Sequence, residues 1–415
     1  MPDASSSILP AGSIVLDRVS FKNFKSLRAV TLELSPLTVL VGPNGSGKSS
    51  VLTGMQLLAQ AAEGRASPPE PWQHLAATFS GPRDPRRLMN SGRPSPLELA
   101  MREAGGDELT LKVSLESVYA PGEQLVFQVE VNGPGGSLAS PQGTYPLTKA
   151  FRQVIAAGLN IPSAESVLNH PRVRHFASLV HLHLDGPMLA RTSTTDDEEP
   201  RISTTGEGLA STLAWMAGAK PDTLTAIAAD LARVVPGVRR ILTHRERITE
   251  RVMEKVDIDG QPIWRPVERR KLGDRFSIEF TGGAEIPADL LSEGTVLALG
   301  LLTKLHEPGR PRVVLLDDID RGLHIDAQAK LVATLREFMK LDPGLQIVCT
   351  THSTYLLDLF QPDEVRVLAL DDHRDTHAKA LTEHPDFEKW RYGTQTGELW
   401  AALGNAWVTG QPEKP

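Results

Sequence analysis

The strongest constraint on this chain is the stretch Gly42-Pro43-Asn44-Gly45-Ser46-Gly47-Lys48-Ser49-Ser50. It follows the apolar run Leu37-Thr38-Val39-Leu40-Val41 and precedes Val51-Leu52-Thr53-Gly54-Met55-Gln56-Leu57-Leu58, so the local order is strand, glycine-rich turn, helix. Each part of the G-x-x-x-x-G-K-S spacing has a phosphate-binding reason. The glycines let backbone N–H groups curl around phosphates, and the helix N-terminus adds the positive end of its dipole. Lys48 is expected to reach the β- and γ-phosphates of a nucleoside triphosphate, and Ser49 to ligate Mg²⁺.

Around this loop the chain of 415 residues is long enough for a sizeable core and more than one lobe. Its single cysteine, Cys349, excludes an intramolecular disulfide and suits a reducing compartment. Residues Met1 to Gly12 lack the basic and apolar regions of a signal peptide, and there is no apolar run of about 18 residues for a membrane span. A cytoplasmic protein with no membrane partner is expected. The formal charge of −7 argues against a protein basic all over, while leaving room for one basic face.

Ile14–Phe21 and Ala29–Leu34 alternate as half-buried strands leading into the phosphate-loop strand. Residues 64–96 are rich in Pro, Gly and Arg and read as loop, with at most a short helix from Trp72 to Phe79. Leu97–Met101, Glu108–Val113 and Leu125–Val131 have strand character, which suggests a small antiparallel sheet. Beyond the Gly/Pro/Ser-rich breaker at residues 133–143 the pattern turns helical, at 147–157, 165–168, 208–217 and 222–235, with a polar, acidic stretch at Thr192–Thr205 that reads as mobile. Arg239, Arg240, Arg245, Arg247, Arg251, Arg265, Arg269, Arg270 and Lys271 are mixed with acids such as Glu246, Glu250, Glu254 and Glu268. This mixture suits either a solvated, salt-bridged face or a surface that tracks nucleic-acid phosphates.

A second constellation follows. Ser292 is a good N-cap for an apolar helix, preceding Glu293-Gly294-Thr295. Val313-Val314-Leu315-Leu316-Asp317-Asp318 is a buried strand ending in two carboxylates, which can place one acid on Mg²⁺ and the other near an attacking water. Then come Gly322-Leu323-His324, a helix from about Asp326 to Leu341, and the strand Gln346–Thr350, which runs into Thr351-His352-Ser353. A histidine just past a core strand is ordinarily structural, but in this order His352 is a candidate for the γ-phosphate.

Taken together, these residues resemble the ATP-binding-cassette (ABC-type) ATPase head of the branch that includes RecF, SMC proteins and OLD-like ATPases, over about residues 14–60 and 288–370. The resemblance implies an α/β fold: a mixed sheet flanked by helices, an antiparallel β subdomain and an inserted, mainly helical lobe. It divides the chain into residues 1–135, 136–275 and 276–415. By resemblance, residues Gly42–Ser50 are the Walker A motif, Ser292-Glu293-Gly294-Thr295 the signature, Asp317-Asp318 Walker B, Gly322-Leu323-His324 the D-loop region and His352 the switch histidine. The implied ligands are ATP and Mg²⁺, the latter on Ser49 and Asp317. The implied assembly is a head-to-tail homodimer in which the signature of one subunit completes the ATP site of the other.

Three departures from the family pattern carry expectations. The acid after Walker B is Asp318 where glutamate is usual, with Asp320 as a second acid, and a carboxyl one methylene short implies slow hydrolysis. No glutamine sits in a clear Q-loop context; Gln73 is the nearest. The long segment between Lys48 and Ser292 disfavours a transporter and leaves an inserted lobe of open partner, and no acidic cluster of a Toprim nuclease follows His352. Two functions remain in view: an ATPase acting on or sensing double-stranded DNA, and a regulatory ATPase that holds or releases a separately encoded effector. Trp390, Trp400 and Trp407 near the C-terminus suit docking either on the chain's own head or on such a partner.

Overall fold

The computed structural model describes residues 15–63, 97–104, 109–118, 124–133, 136–139, 175, 178–258, 261–390 and 393–410. They fall into two compact units, the first formed by residues 1–181, 311–320 and 336–415, the second by 182–310 and 321–335.

The first unit contains two six-stranded sheets. Strands β1 (Val15–Phe24) and β2 (Leu27–Glu33) pair with β4 (Leu97–Ala104), β5 (Leu109–Val118), β6 (Gln124–Gly133) and β7 (Gly136–Ala139) in the order β2-β1-β4-β5-β6-β7, every neighbour antiparallel. This is the antiparallel subdomain expected from the alternating pattern. The other sheet runs β15-β14-β3-β13-β12-β8, from β15 (Thr376–Ala380), β14 (Val365–Leu370), β3 (Leu37–Val41), β13 (Gln346–Thr350), β12 (Val313–Leu316) and β8 (Leu179–Leu182). Its middle strands β14, β3, β13 and β12 are parallel, and β3, β12 and β13 are buried along their whole length. Continuous apolar strands are what a parallel sheet covered on both faces requires.

Gln346 ties the two sheets together from a fully buried position. Its amide oxygen accepts from the Leu16 N–H at 3.1 Å, and its amide nitrogen donates to the carbonyls of Leu16 at 2.7 Å and Ser35 at 3.0 Å. The β1–β4 ladder shifts register between Leu16 and Arg18, so Gln346 satisfies backbone groups at that irregularity.

The second unit is built on α2 (Leu209–Ala219), α3 (Pro221–Val234) and α4 (Glu293–His306), whose Leu213, Met216, Ile227, Leu231, Leu299, Leu302 and Leu305 are all fully buried. The expectation of a mainly helical insert needs one amendment. Strands β9 (Val238–Ile258) and β10 (Gln261–Phe280) form a long antiparallel ribbon, joined at its base by β11 (Glu285–Pro287). Charge dominates this stretch of sequence and masks the period-two placement of Ile248 and Val267, which the ladder makes half-buried. At the base of the ribbon the nearly buried Glu279 accepts from Arg239 at 3.3 Å and Arg240 at 2.7 Å.

The stretch Thr192–Thr205 is also better fastened than its composition suggests. Ser193 bridges Asp274 of β10, and the buried Glu307 accepts from the Ile202 N–H at 2.7 Å while Lys304 spans Glu307 and the Ile202 carbonyl. The expected helices at 72–79, 147–157 and 165–168 lie outside the described residues.

The two tryptophans that close the C-terminal region bond locally, Trp400 to Asn405 at 3.0 Å and Trp407 to the Gly404 carbonyl at 3.1 Å. Trp407 also packs edge-on against His384 with Lys379 over its ring, as expected for docking on the chain's own head. Gln346→Leu keeps the volume of the buried side chain but leaves Leu16 and Ser35 backbone groups without partners. It should lower unfolding free energy by about 1–3 kcal/mol in urea titrations, and no loss would remove this bridge from the core.

Candidate functional site

The carboxyl ends of three adjacent parallel strands build the site in the first unit, the edge where open α/β sheets bind ligands. Strand β3 delivers Gly42–Ser50 and the helix α1 (Lys48–Glu63), β12 delivers Asp317 and Asp318, and β13 delivers Thr350, Thr351 and His352.

Gly42 is fixed by packing as well as by φ, which is +143°: a Cβ there would meet the Leu368 carbonyl oxygen at 2.0 Å. Lys48 is nearly buried and donates from Nζ to the carbonyls of Gly42 at 2.8 Å and Pro43 at 3.1 Å. Burial pulls its pKa below the ordinary lysine value, and the Asp318 and Asp317 carboxylates oppose that pull by favouring the charged amine. Ser46 turns a buried hydroxyl into the loop with no hydrogen-bond partner among the described residues. An unpartnered buried hydroxyl, a lysine whose charge Asp318 and Asp317 favour and an exposed Ser49 at the helix start are the donor set that a triphosphate with its cation fits.

Thr350 organises the acids. Its hydroxyl donates to Asp317 Oδ1 at 2.6 Å and accepts from the Asp318 N–H at 2.8 Å. Asp318 adopts φ +48°, a left-handed conformation that aspartate tolerates, and its carboxyl is half exposed. His352 Nε2 lies 3.9 Å from Asp318 Oδ1, close but beyond hydrogen-bond reach. Asp320 accepts from the Thr351 hydroxyl at 2.7 Å. The structure therefore brings Lys48, Asp317, Asp318 and His352 to one edge. Thr350 was not legible in the sequence, where it is only the last residue of an apolar strand.

The signature residues lie in the second unit. Ser292 caps α4, its Oγ accepting from the Thr295 N–H at 3.3 Å, and Glu293 pairs with Arg321 at 2.8 Å. Gly294 has a packing reason of its own: a Cβ would meet the Gly322 carbonyl oxygen at 2.2 Å, so the bare Cα seats the Gly322-Leu323-His324 turn against the helix start. Gln73 lies outside the described residues.

A family model described as "AAA domain, putative AbiEii toxin, Type IV TA system" matches residues 139–358, more than half of the chain. The chain belongs to this AAA-domain family. A second model, an AAA ATPase domain, matches residues 15–90 and so covers the phosphate loop. An OLD nuclease of Thermus scotoductus is 46% identical over 44 residues, 11% of this chain and 8% of that protein. The DNA replication and repair protein RecF of Azotobacter vinelandii is 36% identical over 107 residues, 25% of this chain and 28% of RecF. The chain thus spans a minor part of each relative's length. Among solved structures, the SmcHead bound to the C-winged helix domain of ScpA covers 89% of this chain and 99% of its own at 15% identity and a TM-score of 0.52, a likeness of fold. The chain thus combines an AAA-domain family match with the fold of an SMC ATPase head, and short stretches of it are similar to RecF and to an OLD nuclease. Among the described residues no helix is long and apolar enough to cross a membrane.

Thr350→Val keeps the shape of the strand end and removes the hydroxyl that orients both acids. Phosphate release from ATP should fall about 10–100-fold while nucleotide affinity stays within a few-fold. Turnover at the wild-type rate would remove Thr350 from the site.

Proposed function

We propose that this chain is an ATPase that hydrolyses ATP to ADP and phosphate with Mg²⁺, and that two copies pair head-to-tail on ATP to act on or sense DNA in repair or antiphage defence. The observation that carries the reading is the convergence of Lys48, Asp317, Asp318 and His352 at one sheet edge. In this reading Gly42–Ser50 cradles the phosphates, Lys48 neutralises their charge, and Asp318 orients the attacking water and accepts its proton. His352 donates toward the γ-phosphate, and Asp320 holds Thr351 behind it. Ser49 and Asp317 would hold Mg²⁺, which supplies charge neutralisation on the phosphates when bound. Ser292–Thr295 serves the partner subunit's nucleotide.

Pairing is supported by apolar side chains that stay exposed beside the motifs: Leu290 at 72% just before the signature, Ile325 at 49% after His324, and Tyr355 at 65% after His352. The relation to RecF supports a DNA role, and the ribbon offers a surface for it. Arg247, Arg265 and Arg270 are exposed there, and no described carboxylate pairs with them. A second reading, an ATPase that holds a separate effector, is favoured by Trp390, which is 42% exposed. The SMC head of similar fold was likewise crystallised with a partner domain.

Lys48→Ala should abolish ATP binding. Asp318→Asn, whose new residue also tolerates the left-handed backbone, should bind ATP, stop turnover and accumulate the dimer in size-exclusion runs; wild-type turnover would displace Asp318 as the catalytic acid. His352→Ala should lower kcat more than it raises KM, and the reverse would move His352 away from the γ-phosphate. Unstimulated turnover should fall at or below the slow end of the usual range of about 1–10³ s⁻¹.

For the DNA arm, changing Arg247 and Arg270 to Ala together should weaken binding across sequences and flatten the log–log salt dependence by about 2. Binding with no salt dependence would favour the effector reading.

A further inference from the structure

Strand β8 carries a histidine that the motif order does not use. His181 is 1% exposed and sits on the strand beside β12, whose end carries Asp317. Its ring faces two groups of the same unit. Nδ1 lies 3.2 Å from Oε1 of Gln56, and a ligating nitrogen of His181 lies within 4.8 Å of a carboxylate oxygen of Asp317.

The contact with Gln56 holds the ring in place. With the amide oxygen as acceptor, Nδ1–H is the donor, and in the matching neutral tautomer Nε2 is the nitrogen that can ligate. A histidine that ligates a metal nearly always has this arrangement, with the other ring N–H held by a carbonyl or carboxylate that fixes tautomer and ring orientation. Gln56 also lies two helical turns after Ser49 on α1, so the residue that orients His181 shares a side of that helix with Ser49. Burial alone suits a structural imidazole. An imidazole held by an amide and buried next to a carboxylate that Thr350 also holds is in addition a nitrogen–oxygen donor pair for a divalent ion.

We propose that His181 is a metal ligand beside Asp317, making this a mixed imidazole–carboxylate site that takes a divalent transition ion, such as Mn²⁺ or Co²⁺, in preference to Mg²⁺. Magnesium prefers all-oxygen donors and sheds water reluctantly, whereas imidazole suits the first-row transition ions. The inference rests on the reading of Asp317 as a metal-binding acid and adds His181 to it. Gln56 acts through His181 as a positioning residue.

The test is metal binding by the full-length, nucleotide-free protein, with Mn²⁺ alone as the probe and ring-¹⁵N-histidine protein as the isotopic control. Pulsed electron paramagnetic resonance should show an imidazole nitrogen coupled to bound Mn²⁺. His181→Gln should lose that coupling and weaken Mn²⁺ binding at least tenfold while changing Mg²⁺ affinity little. Gln56→Leu should weaken Mn²⁺ less than His181→Gln does. Absence of nitrogen coupling in the wild type overturns the proposal, and this readout does not depend on whether any variant folds.

The arms separate the two claims. If Asp317→Asn abolishes Mn²⁺ binding and His181→Gln leaves it intact, His181 is not a ligand and Asp317 stands. If Asp317→Asn leaves Mn²⁺ binding intact, the assignment of Asp317 as a metal-binding acid fails, and the proposal fails with it.

Discussion

The site depends on the parallel register that aligns β3, β13 and β12. Val39 pairs with Cys349, and Cys349 pairs with Leu316, so the three strands end at one level and release their next residues into the same space. The phosphate loop, the two aspartates and His352 are together because the strands stop together. A parallel ladder must be covered on both faces, which accounts for strands that are apolar before the carboxyl edge except at Thr38 and Gln346, both buried and hydrogen-bonded. Thr350, the last residue of β13, completes the alignment by holding the Asp317 side chain and the Asp318 backbone with one hydroxyl.

This arrangement was legible in the sequence to the extent that its parts are local. The phosphate loop is contiguous, with its strand and helix on either side, and the apolar strands before Asp317 and His352 announce themselves by composition. The groups that orient the site were not legible, because their partners are remote: Thr350 meets Asp317 across 33 residues, and His181 meets Gln56 across 125. No spacing rule links such pairs, since only the order of strands in the sheet brings them together. Gly294 shows the same limit in another form. A glycine at a helix start suggests room for a phosphate, whereas here its missing side chain also admits the Gly322 carbonyl.

The inserted segment was the least legible part. Helices α2 and α3 follow from their apolar periodicity, but the ribbon of β9 and β10 is read as charge before it is read as strand. Two-stranded ribbons have little core of their own and depend on their base for order. Here the base is secured by the Ser193–Asp274 bridge and by Glu279 beneath Arg239 and Arg240. Farther along, Arg247, Arg265 and Arg270 remain exposed.

The central claim is that the sheet edge hydrolyses ATP and that a DNA partner regulates it. Steady-state phosphate release by the purified protein with Mg²⁺ and ATP, with and without linear double-stranded DNA at low salt, tests it most directly. The account predicts slow release that rises when DNA is added. Release no faster than that of Lys48→Ala under both conditions would contradict it.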